Sequence, residues 1–131
     1  MSTIKVDTVQ STGGGAVTLT NQEGAKVRSQ YMGLTNTLQT GALNNSSVTD
    51  NATGDFTHSF SSNFSDIKYS AHGNNHYLAS TTSSVHNYDP QDNTTRATSS
   101  IRMESYYVTA ADYRTNFDFD VNDLLCFGDL A

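Results

Sequence analysis

The sequence predicts an all-β protein: an antiparallel β-sandwich or jelly-roll-like domain preceded by a short N-terminal extended β leader. Segments in which apolar and polar residues alternate recur along the chain, the period of a strand with one buried face. Clusters of Gly, Asn, Asp and Ser punctuate them as turns. No window keeps an apolar stripe at i, i+3, i+4 and i+7 for three turns, and β-branched and turn residues interrupt every candidate helix.

The leader comes first. Ile4, Val6 and Val9 alternate with polar residues, Gly13, Gly14 and Gly15 break the strand, and Val17 and Leu19 alternate again. A boundary near Gly24 divides the chain into residues 1–24, an attachment and oligomerisation leader, and residues 25–131, the β-domain. Two short strands are marginal in water by themselves, so Ile4, Val6, Val9, Val17 and Leu19 are expected to form an assembly interface. Copies of the chain around a threefold axis would cover them, as would another protein onto which the leader docks.

In the domain, strands are expected near 27–34, 43–49, 55–60, 68–71, 77–81, 100–108 and 117–127. The clearest signal lies in 46–60, where two strand-like runs flank an Asp-Asn-Ala-Thr-Gly-Asp turn, a β-hairpin pattern that sets Phe56, His58 and Phe60 on one face. In 100–108, Ile101, Met103, Ser105 and Tyr107 share the face expected to meet the core. Residues 83–98 are polar and hold the only proline, Pro90, so they read as an exposed distal loop.

Composition narrows the function classes. The 131-residue chain has a formal net charge of -6 and scattered basic residues, which disfavours nucleic-acid binding and adhesion to anionic membranes. No run is long enough to span a bilayer, and the N-terminus lacks the basic and apolar regions of a signal peptide, so folding in a cytosol is expected. Cys126 is the single cysteine and, within Leu124-Leu125-Cys126-Phe127, reads as a small buried hydrophobe.

Candidate chemistry is sparse. His72 and His76 stand at i and i+4, but Gly-Asn-Asn between them reads as a turn rather than a metal-binding helix face. His58, between Phe56 and Phe60, reads as a core or interface histidine, and His86 as a solvated one. Asp89, Asp92 and Asn93 lack the spacing of a calcium loop. Asp118 and Asp120 on one strand face read as a solvated edge rather than a glycosidase pair. No nucleophile elbow or phosphate-cradling loop is present, so no catalytic residue, cofactor or metal is expected. The tyrosines exceed what so small a core requires, and Tyr88 in the polar loop is the candidate receptor contact, since its ring can stack on a sugar.

The wording of several segments is also familiar. Ser-Ser-Val-Thr-Asp, Asn-Ala-Thr-Gly-Asp and Phe-Thr-His-Ser-Phe within 46–60 resemble a small β-domain of fibre and appendage proteins of tailed bacteriophages, especially phages of marine cyanobacteria. Residues 1–20, with Ile-Lys-Val-Asp-Thr, a Gly-rich turn and Val-Thr-Leu, are similar to the N-terminal leader of those proteins. Ser100-Ile101-Arg102-Met103 and Leu124-Leu125-Cys126-Phe127-Gly128-Asp129 look like the family's last strands. The chain departs from the family at Gln30-Tyr31-Met32-Gly33-Leu34, where an aromatic strand such as Trp-Val-Asn-Phe is usual, and it has no tryptophan.

The resemblance implies a non-enzymatic virion structural protein assembled in a bacterial cytoplasm: a short tail fibre or appendage subunit, a homotrimer, attached by its leader to other virion proteins. The projecting β-domain would be free for adhesion to a host surface glycan. Two other roles suit the same sequence, a capsid decoration protein (a head fibre or cement) and, from a different class, a free carbohydrate-binding module.

Overall fold

A computed structural model describes residues 24–77, 85–90, 96–108 and 113–131. Among them are nine strands: β1 Val27–Met32, β2 Thr37–Leu38, β3 Asn45–Ala52, β4 Asp55–Phe60, β5 Ser70–His76, β6 Val85–Pro90, β7 Ser100–Val108, β8 Arg114–Asn116 and β9 Val121–Phe127. One sheet runs β2-β1-β9-β5 and the other β3-β4-β7-β6. Strand β4 covers β7 from Ser100 to Glu104, and β8 takes the same edge further on, opposite Tyr106 to Val108. Every ladder is antiparallel, and the two sheets pack as an all-β sandwich.

Alternation decides which side chains meet between the sheets. Val27 and Tyr31 of β1 and Leu124 and Cys126 of β9 face Phe56 and Phe60 of β4, Ile101 and Met103 of β7 and Tyr88 of β6. Phe64 and Tyr69, from the connection before β5, complete this core. The rings lock edge to face: Tyr31 lies 5.0 Å from Phe56 at 63°, and Phe60 meets both Phe64 and Tyr69 nearly at right angles, while Phe64 and Tyr69 stack at 4.2 Å. Burial of each such ring contributes about 2 to 3 kcal/mol, with up to about 1 kcal/mol more from the pair geometry. Tyr31 thus fills the first domain strand's share of the core in a chain without tryptophan.

The hairpin expected in 46–60 is β3 and β4, with Phe56, His58 and Phe60 buried in a row. Its turn holds Gly54 at φ +67°, against the β7–β8 junction, where a Cβ would stand 2.2 Å from the Ser105 carbonyl oxygen. Strand β7 coincides with the expected 100–108, and Ile101, Met103 and Ser105 are fully buried.

Elsewhere the expected elements need correction. The stretch 83–98 is not one exposed loop: Val85–Pro90 is β6, paired with β7 from Val108 to Met103, and Tyr88 is 1% exposed. An edge position in the sheet tolerates Pro90 because the missing N–H is needed only on the unpaired side or at the strand end. Residues 72–76 are no turn, since β5 runs straight through Gly73 and Asn74 in register with β9. Tyr77 lies just after β5, and the rest of the strand expected at 77–81 is outside the described residues. The run 117–127 is interrupted: β8 ends at Asn116, and only Val121–Phe127 continues as a strand. Asp118 and Asp120 therefore sit in a connection, where Asp118 Oδ1 accepts a 2.6 Å hydrogen bond from the Gly54 amide.

The sheets meet most closely where β5 crosses β6. A Cβ on Gly73 would lie 2.0 Å from the Tyr88 carbonyl oxygen, and Asn75 Nδ2 donates to the Asn87 carbonyl at 2.5 Å. Gly73→Ala is expected to push β6 away and lower stability by about 3 kcal/mol, read as a fall in the urea midpoint. A midpoint equal to that of the parent would show that the two strands separate freely.

Candidate binding groove

A groove of about 540 Å³ opens on the outer face of the first sheet. Its floor follows from strand register. Gln30, Asp123 and Asn74 are opposite one another across β1, β9 and β5, and Arg28 and Leu125 form the neighbouring row with His72 beyond. All point away from the core because the buried positions on these strands are Ser29, Asn122, Leu124 and Asn75. Its wall is the segment 39–42, pinned to β1 at both ends. The Gln39 amide donates to the Gln30 carbonyl at 2.9 Å, and Leu43 and Arg28 exchange backbone bonds of 2.8 and 3.0 Å. Three residues of β1 thus face five of the returning chain, and the surplus arches outward through Gly41, at φ +86°.

Polar groups in the groove hold one another in place. Arg28 Nη2 donates to the Gly41 carbonyl at 2.5 Å and ties the wall to the floor. Gln30 Nε2 donates to Asp123 Oδ1 at 3.1 Å. Asn74 is exposed, and Leu125, at 38% exposure, supplies an apolar patch beside them. A guanidinium and a carboxylate are both present, so the site carries no net charge from its lining.

Of the residues singled out in the sequence, Ile4, Val6, Val9, Val17 and Leu19 lie outside the described residues, as do Asp92 and Asn93. His72 and His76 are four positions apart on an extended strand, too far apart to share an ion. No group of three or more potential metal ligands occurs among the described residues. Asp89 accepts a 2.8 Å hydrogen bond from the Tyr106 hydroxyl on the outer face of the second sheet. Tyr88 is withdrawn from the role of receptor contact: its ring is enclosed, and its place on β6 turns it inward. Sequence inspection missed Arg28, Gln30, Asn74 and Asp123, because nothing in a single strand's pattern says which strand will lie beside it.

Tyr88 has an internal partner instead. Its Oη and His58 Nε2 are hydrogen-bonded at 2.5 Å across β7, and His58 also meets the Tyr31 ring edge to face at 6.4 Å. Burial pushes the His58 pKa down to about 3 and the Tyr88 pKa well above its ordinary value, so both groups are neutral at pH 7. Burial also raises the Cys126 thiol to about 12, consistent with an inert core side chain rather than a nucleophile. No family model, curated protein or solved structure matches this chain, and no helix among the described residues is long and apolar enough to cross a membrane.

A buried neutral histidine makes the fold sensitive to acid. The unfolded chain binds a proton at His58 near pH 6.5 and the folded chain only near 3, so stability is complete above 6.5 and is lost as the pH falls toward 3. The full loss is on the order of 5 kcal/mol. The Asp55 carboxyl, held below its ordinary value chiefly by its hydrogen bonds with Arg102, adds a further loss only at lower pH. His58→Gln is therefore expected to flatten the unfolding free energy between pH 6 and 4, measured in urea. An unchanged slope would show that His58 is not the group responsible. Tyr88→Ala, a core truncation that orphans His58, should cost about 3 to 5 kcal/mol in the same assay.

Proposed function

We propose that this chain is a structural protein of a bacteriophage virion, a short tail fibre or appendage subunit. Residues 1–24 attach it to the particle, and the β-sandwich projects outward and performs no catalysis. One observation supports the reading above others. The separate segments through which the sequence resembles phage appendage domains are partners in the fold, for Phe56 faces Met103, His58 faces Ile101 and Ser59 faces Ser100. The last of those segments, around Leu124 and Cys126, is the central strand β9 of the opposite sheet. The resembling segments thus lie together in one core, as parts of a single domain would.

The leader's alternating apolar residues need cover that a small sandwich cannot spare, and threefold association supplies it. Sedimentation equilibrium of the full chain is expected to give a trimer, and a monomer independent of concentration would overturn this. On purified particles, an antibody to the sandwich should label the tail in electron micrographs. Label on the head lattice would make the chain a capsid decoration protein, and no label would refute a virion role. Removal of residues 1–24 is expected to leave the sandwich folded but absent from particles.

A further inference from the structure

We propose that the groove over β1, β9 and β5 binds a neutral saccharide segment. The inference goes beyond the virion role and does not depend on it, because the groove belongs to the single chain. Its volume of about 540 Å³ lies within the range of small-molecule sites, roughly 300 to 1,000 Å³. The row Gln30, Asp123 and Asn74 spans three adjacent strands. At the usual strand spacing it extends about 10 Å, enough for roughly two linked sugar rings.

The chemistry of that row selects hydroxyl groups. A sugar hydroxyl gives one donor and accepts through two lone pairs, and an amide–carboxylate–amide series offers donors and acceptors in planar pairs that suit neighbouring hydroxyls. The exposed Gln30 to Asp123 hydrogen bond positions both side chains beforehand and uses one oxygen of the Asp123 carboxylate, whose second oxygen can accept from a ligand. Acceptance by a carboxylate is the stronger, charge-assisted kind. Leu125 lies in the next row, where it can meet the apolar C–H face of a ring.

Charge argues against anionic ligands. Arg28 already serves the Gly41 carbonyl, and Asp123 stands one strand away, so a phosphate or sulfate would meet a carboxylate as soon as a cation. The wall is fixed to β1 by backbone bonds at Gln39 and Leu43, which reduces the ordering cost of binding.

The test uses the full-length chain, fluorescently labelled, on an array of neutral and anionic microbial glycans, followed by titration with the best soluble oligosaccharide. Neutral glycans are expected to bind, and Asp123→Ala and Asn74→Ala are each expected to weaken binding about tenfold, equivalent to about 1.4 kcal/mol. Tyr113→Ala, an exposed ring beside the second sheet, should leave binding unchanged. Circular dichroism melts separate lost binding from lost fold, and if Asp123→Ala unfolds, Asn74→Ala decides alone. Failure of every neutral glycan, a preference for anionic ones, or binding indifferent to both groove substitutions would each overturn the proposal. None of these results bears on whether the chain joins a particle.

Discussion

Tyr31, Tyr69, Tyr88 and His58 carry polar heads into the space between the sheets, and the sandwich closes because the hydroxyls find partners there. The Tyr31 hydroxyl donates to Asn36 Oδ1 at 3.0 Å, and the Tyr69 hydroxyl lies within 3.0 and 3.1 Å of the Ala97 and Ser100 carbonyls. A buried hydroxyl without such a bond would cost about 1 to 3 kcal/mol, as much as the ring's burial provides. The same accounting governs the polar seam beside the rings. Ser105 Oγ donates to Asn122 Oδ1 at 3.0 Å, joining β7 to β9, and Asn75 reaches from β5 to the β6 backbone. These bonds specify how one sheet sits on the other, which a purely aliphatic interface would leave to packing alone.

That interior arrangement creates the outer one. With Ser29, Asn75, Asn122 and Leu124 committed inward, strand geometry leaves Gln30, Asn74, Asp123 and Leu125 no other side than the outer face. The groove is then a matter of chain length: the return from β2 to β3 carries more residues than the stretch of β1 it crosses, and the excess stands up as a wall. The floor is part of the two-sheet framework, so its side chains are spaced by hydrogen-bonded ladders rather than by a loop's own preferences.

Legibility from sequence followed the strength of the local signal. The β3–β4 hairpin and β7 are readable because large residues alternate inward along β4 and β7 and the turn chemistry at Gly54 is clear. Strand β6 is not. His-Asn-Tyr-Asp-Pro offers one large apolar group, and only pairing to β7 and the ring site beside His58 make it a strand. For β5, Gly73 and Asn74 read as a turn locally, yet the close pass of the β6 backbone demands glycine, and Asn75 is needed inward as a donor. The polar sequence around Tyr88 predicts exposure, whereas the interior here accepts polar heads that are bonded. The groove had no local signature, being made by register between strands distant in sequence.

The two outer faces differ in how completely their side chains satisfy one another. On the second sheet Asp55 pairs with Arg102, Glu104 pairs with Arg114, and Tyr106 donates to Asp89 while the Arg114 guanidinium lies 3.9 Å over its ring. These groups are engaged with one another, so a ligand there would have to replace existing bonds before making new ones. Across the sandwich, the single bond between Gln30 and Asp123 orders the floor of the groove and still leaves Asn74 open to solvent. Substitutions at Asn74, Gln39 and Thr40 can alter what that face recognises without touching the ring core, because none of the three enters it. Recognition and stability thus rest on different residues of the same strands, and the first can change while the second is kept.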